Sequence, residues 1–113
     1  MAHTIQAVSK YAYSNTLSNN DYAVKLSLWK LNENKSDAKI ADINFVYDGQ
    51  PLPANSFQAD LKYAKLFMPE KTFARIIDQL RNEKPLCLVI NPPFAFLSTD
   101  TLEPVGDGEL QQG

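Results

Sequence analysis

The chain has 113 residues, with 11 Lys or Arg, 13 Asp or Glu, one His and one Cys, and its formal net charge is −2. This length predicts a single domain whose core is large enough to fold without disulfides or structural metals. The hydrophobic fraction of 44% and the charged fraction of 21% are typical of a globular protein rather than a disordered one. No segment approaches the roughly 18 consecutive apolar residues of a transmembrane helix.

The rare residue types exclude several kinds of site. His3 lies near the terminus and Cys87 lies in the apolar run 86–90, so together they supply neither a nucleophile–base pair nor a set of zinc ligands. The glycines form no strand–loop–helix unit, which excludes a phosphate-binding loop and a dinucleotide fingerprint. We therefore expect no metal and no other cofactor. The single cysteine, and an N-terminus without the basic and apolar regions of a signal peptide, lead us to expect a cytoplasmic protein.

Alternation of apolar and polar residues predicts four strands in the first part of the chain. They cover 5–13, 22–31, 39–47 and 57–63, and the last can extend to Met68. Segments rich in Asn and Ser separate the first three strands, and Asp48-Gly49 is a turn signal after the third.

One amphipathic helix is predicted over 69–82. Pro69 suits the first helical position, where its missing N–H leaves no hydrogen bond unmade. Residues at helical spacing form one apolar stripe: Phe73, Ile76, Ile77 and Leu80. Two further apolar runs, 86–90 and 94–98, predict a hairpin around a turn that contains two prolines.

The element order β-β-β-β-α-β-β predicts an α+β fold, in which an antiparallel sheet of about six strands carries the helix on one face. Residues 1–99 are expected to form one domain and residues 100–113 an acidic, partly flexible tail. The first segment carries eleven basic and nine acidic side chains, whereas the tail carries four acidic and no basic ones. The folded body is therefore slightly basic, and the acidity of the whole chain belongs to the tail.

The sheet face opposite the helix is where we expect a site. Its candidate residues are Lys10, Lys25, Trp29, Asn44 and Lys62. Most are polar, as on a solvated face, and Trp29 is the exception. A tryptophan at such a position is either half covered by a loop or hairpin or a contact residue for a partner. Lys71 and Arg75, on the exposed side of the predicted helix, are further candidates.

Three functions remain open. The lack of catalytic and metal signatures favours a non-catalytic interaction module, an adaptor or stoichiometric inhibitor that acts through a sheet face or edge as a homodimer. Its partner is then another protein or a second copy of the chain, and no membrane is involved. The alternative is an accessory protein that binds single-stranded nucleic acid through Lys and Trp on the sheet face, although no basic stripe supports it. The third is sequestration of a small ligand at a dimer interface.

Overall fold

A computed structural model describes residues 3–17, 21–82 and 86–99. Within these ranges the protein is an α+β fold, with one α-helix and eight strands in two mostly antiparallel sheets, which confirms the predicted class. The acidic tail predicted at 100–113 lies outside the described residues. The division into one domain and a tail therefore stays a prediction.

Six strands come first in the chain, then the helix, and then a hairpin of two strands. They are β1 (Thr4–Ala7), β2 (Lys10–Asn15), β3 (Val24–Leu31), β4 (Asp37–Val46), β5 (Ser56–Phe57), β6 (Ala64–Pro69), α1 (Phe73–Asn82), β7 (Leu86–Asn91) and β8 (Phe94–Thr99). The larger sheet has the order β2-β3-β4-β6-β5 and the smaller one the order β1-β7-β8. The pair β4 and β6 is parallel, because the segment between them returns the chain to the start of β4.

The first predicted strand is split between the two sheets. Val8 donates its backbone N–H to the carbonyl of Leu86, at an N···O distance of 2.9 Å, and Ser9 donates to that of Trp29 at 2.8 Å. The chain thus changes partner strand between these two residues. β1 pairs with β7, and β2 pairs with β3.

The fourth predicted strand is also interrupted. Residues 58–63 form a turn, in which the backbone N–H of Leu61 donates to the carbonyl of Gln58 and Leu61 has a φ of 60°. The carboxylate of Asp60 accepts a hydrogen bond from the backbone N–H of Lys62 at 2.9 Å. Such a local side-chain bond competes with a strand ladder. Pairing therefore resumes only at Ala64, where β6 begins.

The helix begins later than predicted, because Pro69 completes β6 with extended backbone angles (φ −65°, ψ 146°). A 3-10 turn over Glu70–Thr72 follows, and α1 begins at Phe73. The predicted apolar stripe is confirmed by its contact with the core: Phe73, Ile76, Ile77 and Leu80.

Helix α1 and the smaller sheet pack on one face of the larger sheet, which we call the inner face. Its buried side chains include Val24, Leu26, Leu28, Ile43, Phe45 and Leu66. The ring of Phe73 meets that of Phe45 edge-to-face, with centroids 5.1 Å apart. β1 is tied to the turn 58–63, because Thr4 Oγ1 donates to the carbonyl of Leu61 and Gln6 Nε2 to that of Lys62.

Candidate functional site

The other face of the larger sheet carries lysines and aromatic rings, and we call it the lysine–aromatic face. Cα register and strand alternation place these side chains on it: Lys10, Lys25, Ser27, Trp29, Lys39, Asp42, Asn44, Lys65 and Phe67. Four of the five residues predicted for this face are among them. The fifth, Lys62, lies instead in the turn 58–63, where it is exposed.

The first row across this face is Lys10–Trp29–Lys39. The Nζ atom of Lys39 lies 5.5 Å from the centroid of the half-buried Trp29 ring, close enough for a cation–π interaction. The Nζ atom of Lys10 forms a salt bridge with the carboxylate of Asp37, at 2.6 Å. This row therefore combines an accessible indole with two ammonium groups.

A β-bulge sets the position of Lys39. Leu28 pairs with Ala41 but Trp29 pairs with Lys39, so Ile40 has no partner on β3. The extra residue brings Lys39 opposite Trp29, on the side of the sheet that carries the indole, and Ile40 itself is buried.

The second row is Ser27–Asp42–Lys65. Asp42 is only 6% exposed. Ser27 Oγ donates to Asp42 Oδ1 at 2.5 Å, the hydroxyl of Tyr63 donates to Asp42 Oδ2, and Lys39 Nζ lies 3.4 Å from Oδ1. Each carboxylate oxygen thus has a partner, as a buried charge requires.

Charge at this row is fixed near neutral pH. Burial opposes ionisation of Asp42, but hydrogen bonds from Ser27 and Tyr63 and the charges of Lys39 and Lys25 outweigh it, and the pKa lies below its ordinary value of 3.8. Burial, together with the hydrogen bond to Asp42, raises the pKa of Tyr63. Neither group titrates near neutral pH, where a general acid or base works.

The third row is Lys25–Asn44–Phe67. Asn44 is 2% exposed, and its Nδ2 lies 3.5 Å from the carbonyl oxygen of Leu66. The Nζ atom of Lys65 lies 5.8 Å from the centroid of the half-buried Phe67 ring. The backbone N–H of Phe67 donates to Asn55 Oδ1 at 2.8 Å. This bond holds β6 to the residue that precedes the short strand β5.

Three cationic or aromatic residues of this face were not predicted from the sequence: Lys39, Lys65 and Phe67. Lys65 and Phe67 alternate with buried Ala64 and Leu66. The sequence shows this alternation in the predicted extension of the fourth strand to Met68. Lys39 was hidden by the bulge. The helix candidates Lys71 and Arg75 are exposed, but they lie in the 3-10 turn and in α1, on the side of the larger sheet that α1 covers.

A second surface lies on the outside of the smaller sheet. Ile5, Val89 and Phe96 form one row across β1, β7 and β8. Ile5 is 61% exposed, Phe94 60% and Phe96 52%, and the two phenylalanine rings are stacked with centroids 6.3 Å apart. We call this surface the phenylalanine face. The two phenylalanine rings are much more accessible than aromatic rings that pack in the core of a monomer.

The space between the two sheets holds an apolar cavity of about 110 Å³. Its lining is entirely apolar: Leu28, Ile43, Leu66, Met68, Ile76, Leu88, Ala95, Phe96 and Leu97. A binding pocket normally adds a few polar groups that orient the ligand. The lining of this cavity offers no such polar side chain.

No group of three or more His, Cys, Asp or Glu side chains within the described ranges is arranged to hold a metal ion. None of the helices in that part of the chain is long and apolar enough to cross a membrane. No protein-family model, no curated protein and no solved structure matches this sequence.

Proposed function

We propose that the protein binds single-stranded nucleic acid through its lysine–aromatic face. The observation that carries the proposal is the pairing of each accessible ring with a lysine, Lys39 at Trp29 and Lys65 at Phe67, on one sheet surface. Proteins that bind single strands combine rings, on which bases stack, with cationic groups along the phosphate backbone. Unpaired bases suit this face, because a half-buried ring can stack only on a base whose flat side is accessible.

The charge of the chain is compatible with this proposal. Although the net charge is −2, residues 1–99 carry more basic than acidic side chains. On the lysine–aromatic face, Lys10 and Lys39 contact Asp37 and Asp42. Within the described ranges, Lys25 and Lys65 make no salt bridge, so they are the strongest candidates for phosphate contacts. We therefore expect moderate affinity and a small number of released counterions.

Trp29 provides the test, since it is the one tryptophan of the chain. Titration with oligothymidylate should quench its fluorescence to saturation. The double variant Lys25→Ala/Lys65→Ala should bind more weakly. Its matched control, Lys71→Ala/Arg75→Ala, also removes two cations but on another surface, and should bind like the unaltered protein. Equal weakening of both double variants, or no response of Trp29 to any oligonucleotide, would contradict the proposal.

A second candidate function has its own observation. The phenylalanine face exposes two stacked rings, and its edge strand β8 contains no charged residue. Edge strands of monomers are usually protected by charge or proline. We propose that this face binds another protein or a second copy of the chain, as the interaction module expected from the sequence. Size-exclusion chromatography with light scattering tests the homodimer. A dimer that Phe96→Lys converts to a monomer supports it, and a monomer at every concentration removes it.

The two candidates use opposite sides of the molecule, so one does not exclude the other. Both describe a binding protein without a chemical step. The cytoplasmic location expected from the single cysteine stays a prediction.

A further inference from the structure

We infer that the lysine–aromatic face has two separate base-stacking positions, Trp29 with Lys39 and Phe67 with Lys65, and that it selects single strands long enough to occupy both. This inference rests on the proposed function and adds a length requirement to it. The ligand class is an unpaired strand of several nucleotides, as distinct from a mononucleotide or dinucleotide.

The spacing of the two positions follows from the strand register. Lys25 lies opposite Asn44, and Asn44 lies beside Phe67, so Phe67 is two strands away from β3. Trp29 lies four residues further along β3 than Lys25. With about 3.3 Å per residue along a strand and about 4.8 Å between strands, the Cα atoms of the two residues are about 16 Å apart on a diagonal.

This distance exceeds the reach of a dinucleotide. Bases stacked as in a duplex rise about 3.4 Å per nucleotide along one strand, so 16 Å corresponds to about five nucleotides, and to fewer in a stretched strand. Two positions joined by one strand act together, because the first contact raises the effective concentration of the second base at its ring.

The residues between the two rings suit the connecting backbone. Half-buried Lys25 lies in the row of Phe67 and on the strand of Trp29, which puts it beside the diagonal that joins the rings rather than on it. Asp42, on the strand between them, is buried, lies 3.4 Å from Lys39 Nζ and is hydrogen-bonded by Ser27 and Tyr63. The one carboxylate on the path is thus partly neutralised, while the lysine beside it is available to a phosphate.

The test measures how Phe67→Leu changes the binding of oligothymidylates of two and of eight nucleotides. Leucine retains most of the apolar packing at this half-buried position but cannot stack on a base. Trp29 quenching reports binding at the first position in every case. Phe94→Leu is the matched control, since it removes an exposed ring on the phenylalanine face. Octameric uridylate forms a parallel arm that distinguishes RNA from DNA as the strand that is bound.

The expected result is that Phe67→Leu weakens binding of the octamer about tenfold or more and changes binding of the dinucleotide by less than about twofold. Phe94→Leu should change neither. If Phe67→Leu leaves the octamer unaffected, or weakens both lengths equally, the two-position inference is wrong while the proposed function stands. If no oligonucleotide quenches Trp29, the proposed function itself fails, and this inference fails with it.

Discussion

Both faces of the larger sheet are buried along β3 and β4, but they become buried in different ways. On the inner face, Leu26, Leu28 and Phe45 pack under α1 and the smaller sheet. On the lysine–aromatic face, Asp42 and Asn44 are about as inaccessible, although α1 and the smaller sheet lie on the other side. The polar atoms of these side chains are hydrogen-bonded instead, Asp42 by Ser27 and Tyr63, and Asn44 to the carbonyl of Leu66.

This difference shows where each face gains stability. The inner face depends on apolar area removed from water and on close packing. The lysine–aromatic face depends on hydrogen bonds to one buried carboxylate, and its rim stays available to solvent. A sheet can therefore leave one side without a covering layer and still satisfy the polar side chains of its central strands.

The largest effect is expected on the inner face. Phe45→Ala removes a fully buried ring and its edge-to-face contact with Phe73. The free energy of unfolding should fall by about 3–5 kcal/mol. Urea denaturation followed by circular dichroism measures this change. A decrease no larger than that caused by Phe67→Ala, on the half-buried lysine–aromatic face, would contradict the contrast between the two faces.

A smaller effect is expected at the centre of the lysine–aromatic face. Asp42→Asn replaces a carboxylate that accepts hydrogen bonds from Ser27 and Tyr63. Hydrogen bonds to charged groups contribute about 1.5–3 kcal/mol, so we expect the free energy of unfolding to fall by about 2 kcal/mol. Tyr63→Phe should cost about 1.5 kcal/mol, at the lower end of this range, since its ring stays in place and only one donor is removed. The two changes share one partner, so the double variant should be destabilised by less than their sum.

The same carboxylate predicts a pH dependence. Because the pKa of folded Asp42 lies below its ordinary value of 3.8, the unfolded chain takes up a proton at this position first as the pH falls. The stabilisation is complete above that value and is lost as the pH falls through the folded pKa. The stability difference between the unaltered protein and Asp42→Asn should therefore begin to narrow below about pH 5 and continue to narrow as the pH falls through the folded pKa. A constant difference in urea denaturation over this range would show that Asp42 is not stabilised in its ionised form.

The features that the sequence could predict are those with local patterns. The alternation of apolar residues predicted β3, β4 and the inner face, and the spacing from Phe73 to Leu80 predicted the helix stripe. The break between β1 and β2 could not be predicted in this way, because it depends on the carbonyls of Leu86 and Trp29, which the chain brings together only when folded. The turn at 58–63 was hidden for another reason, since Leu61 is not a typical residue for a positive φ.

Part of the candidate site was likewise predictable from local patterns, and part was not. Lys10, Lys25, Trp29 and Asn44 were predicted on one face because each lies on a regularly alternating strand. Lys39 was missed because the unpaired Ile40 shifts the alternation at its position. The alternation of Lys65 and Phe67 with buried Ala64 and Leu66 is local, but their position beside Asp42 and Asn44 depends on the pairing of β6 with β4, which no local pattern reveals.

Substitutions of single lysines should have the smallest effects on stability. They also give the sharpest test of the comparison between the two faces. Lys25→Ala and the control Lys71→Ala should each change the free energy of unfolding by less than about 0.5 kcal/mol, because neither side chain is buried. Their effects on binding should differ. Removing one lysine that neutralises a phosphate of a single strand makes the slope of log affinity against log salt concentration shallower by about 0.7. Lys25→Ala should show this change in oligothymidylate titrations at several salt concentrations, and Lys71→Ala should not. Equal slopes for the two variants would mean that charge on the lysine–aromatic face counts no more than charge on the helix side.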